Sequence, residues 1–481
     1  MKNIFLAVAI VLTATVSFGQ NSVDVLRYSQ NFYNGSARFN AMGGAFGALG
    51  GDFSSLAINP AGIAIYRTDE FIFTPSIYFS KTNTATNEWT AIGNKNNFNL
   101  NSIGMVSTKR NENKKGWKSF HFGFGLNRLN NFNREVNIQN QSSTGNLIMD
   151  YQTQAYGLHP TQLNAFTTDL AWKSFLLYDT IRTANGTLAY TSALANRKTE
   201  QTERIFQRGS MNELSMTFGS SYEDKLYIGG AIGFVYSRFF EEIRHAEYDV
   251  TDSIAGFDYF VMNRYLETKG SGVNLKLGFI YRPIQALRFG VSFQTPTWFN
   301  MSDYYHNDMI QYYDDGSNSG VQTSPDGSFN YRINTPMKVT GSVGVVIGKL
   351  MLFDVDVEYL DYREGYLNSD DYGFFAENED TRLKLNSAVN IRGGMEIRLA
   401  PMMIRLGIAS YANPYQPNVN DFSRIQYSGG IGFRDNDLFV DLAYSFTQAK
   451  EDYYMYDPVF TSASKMDNSI SQISATIGFK F

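Results

Sequence analysis

The last eleven residues, Ser471 to Phe481, read Ser-Gln-Ile-Ser-Ala-Thr-Ile-Gly-Phe-Lys-Phe. In an extended chain Ile473, Ala475, Ile477, Phe479 and Phe481 fall on one face, and Ser474, Thr476, Gly478 and Lys480 on the other. A two-faced strand needs an apolar environment on one side only. Two architectures supply it: a soluble sandwich with the apolar face inward, or a closed barrel with the apolar face on lipid.

The pattern recurs upstream. Segment 225–237 sets Leu226, Ile228, Ile232, Phe234 and Tyr236 against Gly229, Ala231, Gly233 and Ser237; segments 337–348 and 437–446 alternate in the same way. From Glu70 onward fourteen segments read as strands: 70–80, 98–107, 118–127, 212–220, 225–237, 272–282, 287–294, 337–348, 351–361, 386–399, 402–410, 425–434, 437–446 and 471–481. After the first strand their connections alternate long and short. Short ones are 223–225, 282–286, 348–350, 400–401 and 434–437; long ones are 81–97, 128–211, 238–271, 295–336, 362–385, 411–424 and 447–470; one, 109–117, is intermediate and falls in a short slot. A sandwich has no reason to sort its loops by end. A membrane barrel does, with tight turns on one side, long loops on the other, and closure removing the unpaired edges that lipid cannot solvate. The expected fold is an all-β transmembrane barrel of about fourteen antiparallel strands, with both termini on the short-turn side.

Composition agrees. Aromatic residues are abundant (31 Tyr, 38 Phe), Gly is high at 41 and Pro low at 11. Mean hydropathy is slightly negative, which suits strands whose every second residue is polar. The formal charge is −5 and no basic block is present, so nucleic acid is excluded as a partner. The chain has no Cys, hence no disulfide, lipid-anchor or thiolate site. Residues 1–19 read as a secretory signal peptide: Lys2, an apolar run from Ile4 to Val16, then Ser17-Phe18-Gly19. Export without a membrane helix points to the outer membrane of a diderm bacterium.

Residues 20–69 do not alternate. They carry Ala37-Arg38, Met42-Gly43-Gly44-Ala45, Asp52-Phe53-Ser54 and then Asn59-Pro60-Ala61-Gly62. This ordered set, between a signal peptide and a barrel, resembles the N-terminal hatch of the FadL-type transporters of hydrophobic compounds. Further similar stretches are Gly290-Val291-Ser292-Phe293 with Gln294-Thr295-Pro296, the strand from Asp354 to Tyr359, and Arg392-Gly393-Gly394-Met395-Glu396. The resemblance covers most of the mature chain. It implies a fourteen-stranded barrel (70–481) plugged by a small N-terminal segment (20–69), and passive uptake of fatty acids or similar apolar molecules. Asn59, Pro60 and Ala61, followed by Gly62, occupy its hatch motif.

Catalytic signals are poor. The four histidines (121, 159, 245, 306) have no metal-ligand spacing, and no nucleophile elbow or phosphate loop stands in context. The chain is expected to be neither an enzyme nor a cofactor or metal protein. The lumen is richer. Asp354, Asp356 and Glu358 alternate along one strand, Arg392, Glu396 and Arg398 share the polar face of the next, and Arg405 lies on the strand after that. In a meander these neighbours form a charge network across the wall. It either neutralises itself or leaves one Arg free for a carboxylate head group. Pro75, a parity shift near Asn101-Ser102, and Gly123 and Gly125 mark three adjacent strands as the candidate lateral gap. In the 128–211 connection, 160–178 has near-helical apolar spacing. The 295–336 connection holds Trp298, Phe299, Tyr304 and Tyr305, a candidate ligand or partner loop. Two functions follow: a channel taking up hydrophobic small molecules such as long-chain fatty acids, or a non-transporting subunit or shuttle of an outer-membrane secretion or barrel-assembly complex. Expected partners are outer-membrane lipid, an apolar ligand and, in the second case, other outer-membrane proteins.

Overall fold

The computed structural model describes residues 21–87, 89–111, 115–141, 145–183 and 186–481. The signal-peptide segment lies outside these residues. From Glu70 the chain forms one closed antiparallel sheet of fourteen strands, each paired with its sequence neighbours, and the last paired with the first. They are β1 (Glu70–Ala85), β2 (Thr90–Arg110), β3 (Trp117–Asn131, continued by Arg134–Gln141), β4 (Glu200–Tyr222), β5 (Leu226–Tyr248), β6 (Tyr259–Ile284), β7 (Leu287–Gln294, continued by Trp298–Tyr312), β8 (Gly327–Asn334 with Lys338–Ile347), β9 (Met351–Asp361), β10 (Ser387–Leu399), β11 (Met402–Tyr411), β12 (Arg424–Asp435), β13 (Leu438–Tyr453) and β14 (Ser464–Lys480).

The alternation read from sequence sets the facing. Phe479, Ile477 and Ile473 are exposed on the outer surface, whereas Gly478, Thr476 and Ser474 face inward. On β5 the outward row runs Leu226, Ile228, Gly230, Ile232, Phe234, Tyr236, after which Arg238 takes the next outward place. Eleven tilted strand residues are about what a bilayer core requires. Among the described residues no helix is long and apolar enough to cross a membrane. The barrel crosses on strands.

Above that belt β4 to β7 continue as strand, and Arg238 to Tyr248 remain in ladder register with β4 and β6. This corrects the long-loop expectation. Segments 81–97, 238–271 and 295–336 are mostly strand, with turns at 249–258, a connection before Gly327 and a break after Ala85 before Thr90. The reason is physical: outside lipid the outer face no longer has to be apolar, so the alternation fades while the backbone ladder goes on. The 128–211 segment is likewise largely structured. It contains α3 (Leu147–Ala155), α4 (Thr168–Lys173) and a small hairpin, Tyr178–Arg182 with Leu188–Thr191. The helical spacing at 160–178 resolves into a short 3-10 turn and α4. Leu147, Ile148, Tyr151, Leu170, Leu177 and Tyr190 pack with Phe257, Phe260, Met262 and Met309 as a separate apolar core on top of β5–β7. A further helix, α5 (Phe375–Lys384), follows β9.

The main interior core is made with the N-terminal segment. Helix α1 (Ser22–Ser29) starts with a capping box: Val23 N donates to Asn21 Oδ1 (2.8 Å) and Asn21 N donates to Asp24 Oδ2 (3.2 Å). Val25, Leu26 and Tyr28 pack on wall residues Leu129, Phe132, Phe239, Phe299 and Tyr331. The chain then descends through α2 (Ala37–Ala41), two left-handed glycines (Gly43, φ 63°; Gly44, φ 77°) and the 3-10 helices Phe53–Ala57 and Pro60–Ile65 before entering β1. Phe39, Phe46, Phe53, Leu56 and Ile63 are fully buried inside the barrel; each such side chain is worth roughly 1.5–3 kcal/mol of burial.

Candidate functional site: the filled lumen

The N-terminal segment is seated by shape. Asn59 caps the second 3-10 helix by accepting from Ala61 N (3.0 Å), and its Nδ2 donates to Gly47 O (2.7 Å) and to Phe279 O of β6 (3.3 Å). Pro60 fills the first helical position, where its missing N–H costs nothing. The wall opposite is glycine: a Cβ at Gly229 would collide with the Pro60 carbonyl, and one at Gly278 with the Asn59 amide. Gly62 similarly lets the left-handed turn at Gly50 (φ 57°) cross it at backbone contact. The Asn59-Pro60-Ala61-Gly62 motif is therefore a capped turn cut to fit a glycine seat.

It is also held by charge. Phe46 N donates to Asp356 Oδ2 (3.2 Å), Gly47 N to Asp356 Oδ1 (3.0 Å) and Ala48 N to Asp354 Oδ2 (3.2 Å). Glu358 pairs with Arg392 (3.2 Å) and accepts from Asn390 (2.9 Å). Glu396 gathers three guanidiniums: Arg38 of α2 (2.8 Å), Arg398 (2.7 Å) and Arg405 (2.7 Å), and Arg405 goes on to Asp441 of β13 (2.6 Å). Burial raises the Asp52 carboxyl above its usual range, opposed by Arg38 nearby and by the hydrogen bond from Ser36. The seven network residues named from sequence fall into two clusters, Asp354, Asp356, Glu358 and Arg392 in one and Glu396, Arg398 and Arg405 in the other, and three of them (Asp354, Asp356 and Glu396) clamp the N-terminal segment. Sequence reasoning missed Arg38 and Asp441, which complete the network. Arg38 is a lone cation in an apolar stretch; Asp441 has lumen parity on β13 and was legible as such. A second buried pair, Lys276 with Glu213, was also missed.

No arginine of the network is left over, since Arg392, Arg398 and Arg405 all have carboxylates. Outside the network, Arg424 at the outer end of β12 is a guanidinium with no carboxylate within ion-pair distance among the described residues. It lies over the Phe32 ring (3.6 Å to the centroid), and its Nε has no hydrogen-bond partner. Arg424 borders a cavity of about 160 Å³ between α1 and the wall, lined also by Leu26, Phe132, Phe239, Tyr78 and Gln30.

The wall is incomplete beside this cavity. β2 pairs with β3 only from Ser102 to Arg110; above Ser102, β2 stays with β1 and β3 stays with β4. The split is crossed by side chains. Arg128 donates from Nε to Leu100 O (3.2 Å) and from Nη1 to Asn99 Oδ1 (2.9 Å), and Asn137 donates to Ile92 O (2.9 Å). The register break between Thr74 and Pro75 leaves Asn101 as the extra residue of a bulge just below it. Gly123 and Gly125 are not part of the split. Both are paired on each side, Gly123 with Val106 and Thr217 and Gly125 with Gly104 and Ser215. Their lack of a side chain makes room for Ile63 and Phe53 of the N-terminal segment. The 295–336 aromatics lie on a strand and not in a loop. Trp298 and Tyr304 are exposed on the outer face of β7, Phe299 is buried against Tyr28, and Tyr305 packs on Phe166 (5.0 Å).

Fold and site together define a fourteen-stranded antiparallel membrane barrel whose lumen is filled by its own N-terminal segment. No family model and no curated protein matches the sequence. Solved structures do match. A Pseudomonas aeruginosa FadL homologue superposes with a TM-score of 0.58 at 12% identity, over 93% of this chain and 98% of its own. The Pseudomonas putida toluene transporter TodX gives 0.55 at 13%, over 93% and 99%. The Ralstonia pickettii toluene transporter TbuX gives 0.51 at 12%, again over 93% and 99%. The fold is that of the FadL-type barrels, as the sequence resemblance implied.

Proposed function

We propose that this chain is an outer-membrane channel for the passive uptake of hydrophobic small molecules, including amphipathic ones with an anionic head such as long-chain fatty acids. The observation that carries the reading is the Arg424 cavity. A cavity of about 150 Å³ has room for a benzene-sized molecule, and this one, lined by Leu26, Phe132 and Phe239 but also by Asn130, Arg134 and Glu451, suits a single ring or the polar head end of a longer chain. A guanidinium stacked on an aromatic ring, without a carboxylate of its own, suits a ligand carboxylate. The cavity adjoins the split between β2 and β3, which offers a sideways exit into lipid, while residues 20–69 act as the plug that blocks the straight path to the periplasm. The fold shared with the toluene transporters supports the same class of ligand. Location in the outer membrane after export follows from this reading.

The test is direct binding by the purified protein. An Arg–carboxylate contact is worth about 1.5–3 kcal/mol. Arg424→Gln should therefore weaken oleate binding about 10- to 100-fold and leave binding of toluene within threefold. Binding of neither compound by the unaltered protein would reject the proposal.

A further inference from the structure

The outer surface of β4–β8 carries a feature that uptake does not use. Its apolar belt ends at the row Phe234, Val273, Trp298; the next outward row is Tyr236, Ser271, Asn300, Arg332, and the one above it is Arg238, Lys269, Ser302. Arg208 stands opposite Phe240, one row higher. Lys95 and Arg204 flank these on the β2 and β4 side, with Lys95 over the Phe206 ring (3.9 Å) and Arg204 paired to Glu135 (3.0 Å). The six cations face three carboxylates, Glu135, Glu267 and Asp370. That is a local surplus of three positive charges on a chain whose net charge is −5. At the level of Lys95 and Arg204 the signs mix, with Glu242 opposite Phe206 and Arg244 opposite Arg204. Around the barrel, the residues following the belt on β9 carry the Asp361–Arg363 pair.

The cations are fixed in place. Arg208 lies over Phe240 (4.2 Å) and Lys269 over Tyr304 (5.1 Å), and Arg238 and Lys269 share Glu267 (2.6 and 3.5 Å). Among the described residues Arg208 and Lys95 have no carboxylate within ion-pair distance. We propose that this wall is a binding site for a phosphorylated glycolipid of the outer leaflet. Its acyl chains lie on Ile232, Phe234, Leu275 and Trp298, and its sugar phosphates are held by Arg208, Arg238, Lys269 and Arg332. Acyl contact alone would need no charge, and a soluble acidic partner would need no lipid belt directly beneath. The cations begin within two outward rows of the belt's edge, the level of lipid head groups. Arginine forks match phosphate oxygens, and basic clusters at a membrane surface bind anionic lipid. The site rests on the outer-membrane reading and lies apart from the lumenal cavity.

The test uses the full chain in neutral detergent. Native mass spectrometry and thermal melting are followed with added bis-phosphorylated lipid A, monophosphorylated lipid A, or phosphatidylethanolamine. The bis-phosphorylated lipid should remain bound at one or two copies and raise the melting midpoint most. Arg208→Gln with Arg238→Gln and Lys269→Gln should weaken that binding at least tenfold. A control set at the short-turn rim, Arg110→Gln with Lys225→Gln and Arg282→Gln, should change it less than twofold. The single Arg208→Gln, at an exposed position without an ion-pair partner, should show at least a threefold loss and guards against misfolding of the triple variant. Equal retention of phosphatidylethanolamine, or no loss in either patch variant, overturns the proposal. Oleate binding, measured in parallel, should be unchanged in the patch variants. Its absence from every form, with lipid A binding intact, would reject the channel reading and leave this site standing.

Discussion

Replacing Glu396 by Gln should unlatch the N-terminal segment. The Glu396 carboxylate is buried and accepts from Arg38, Arg398 and Arg405 at 2.7–2.8 Å. Arg405 keeps Asp441 in the variant, and Arg398 is 40% exposed and can turn to water. Arg38 keeps the Gly51 carbonyl (3.1 Å), the Phe46 ring (5.0 Å) and the Asp52 carboxylate nearby, but no direct ion pair. A buried charge stripped of its partner costs about 3–5 kcal/mol. The wall strands cannot yield, because β10 and β11 are paired along their lengths. The cost falls on α2, and about 4 kcal/mol corresponds to a thousandfold change in an opening equilibrium. The chain has no Cys, so a single Ser55→Cys at a fully buried position reports opening by its rate of maleimide labelling. Labelling should accelerate by 100-fold or more in Glu396→Gln. Arg38→Met in the same background removes the stranded charge and should recover at least half of the effect on a logarithmic scale. A labelling rate within twofold of the parent, or a double variant that labels faster than Glu396→Gln alone, would refute the latch.

Three further outcomes follow. Gly278→Val puts a branched side chain against Asn59 and Pro60; overpacking of this kind costs about 1–3 kcal/mol, so the same Ser55→Cys labelling should rise about 10- to 100-fold. In the outer extension, burial opposes protonation of His245, but its hydrogen bonds to Glu203 and Glu247 (both 3.1 Å) outweigh burial and hold it up to about 9. A raised histidine stabilises fully below its unfolded value near 6.5 and loses that contribution as pH climbs to about 9, a span worth on the order of 3 kcal/mol. Glu247 also accepts from Leu147 N (2.8 Å) and Thr199, so proteolysis within 145–199 should accelerate between pH 6.5 and 9 in the parent and be flat with pH in His245→Gln. Arg128→Ala removes the side chain that bridges the split to Leu100 and Asn99; release of a bound hydrocarbon into detergent should speed up at least threefold in stopped-flow, and an unchanged rate would argue against a sideways exit.

The strands were legible only where lipid enforces their pattern. Between Leu226 and Tyr236 each outward residue must tolerate hydrocarbon, and the alternation is plain. From Arg238 to Tyr248 the outer face meets water, Arg, Glu and Phe alternate with no single character, and the ladder continues without a sequence signature. The bulge at Asn101 was readable because it shifts parity in one strand. Gly123 and Gly125 misled because a missing side chain looks the same whether it weakens a strand or makes room for a neighbour; only Phe53 and Ile63 lying against them tells the two apart. The charges on β9–β11 were placed correctly on one face by period 2, but that period says nothing of the segment that enters from the other side. Arg38, the second residue of α2, and the backbone donors at Phe46 to Ala48 could not be assigned to Glu396, Asp356 and Asp354 without the fold. Arg424 has the same lumen parity as Gln426 and Ser428, and it was missed because the strand was begun one residue late.

The most direct test of the central claim is purification of the native protein in mild detergent, with mass spectrometry of everything that remains bound. The account predicts a monomeric barrel that retains an apolar or fatty-acid-like molecule, and loses the acidic ones when Arg424 is replaced by Gln. Recovery in a stoichiometric protein complex, with no such molecule retained by the barrel, would contradict it.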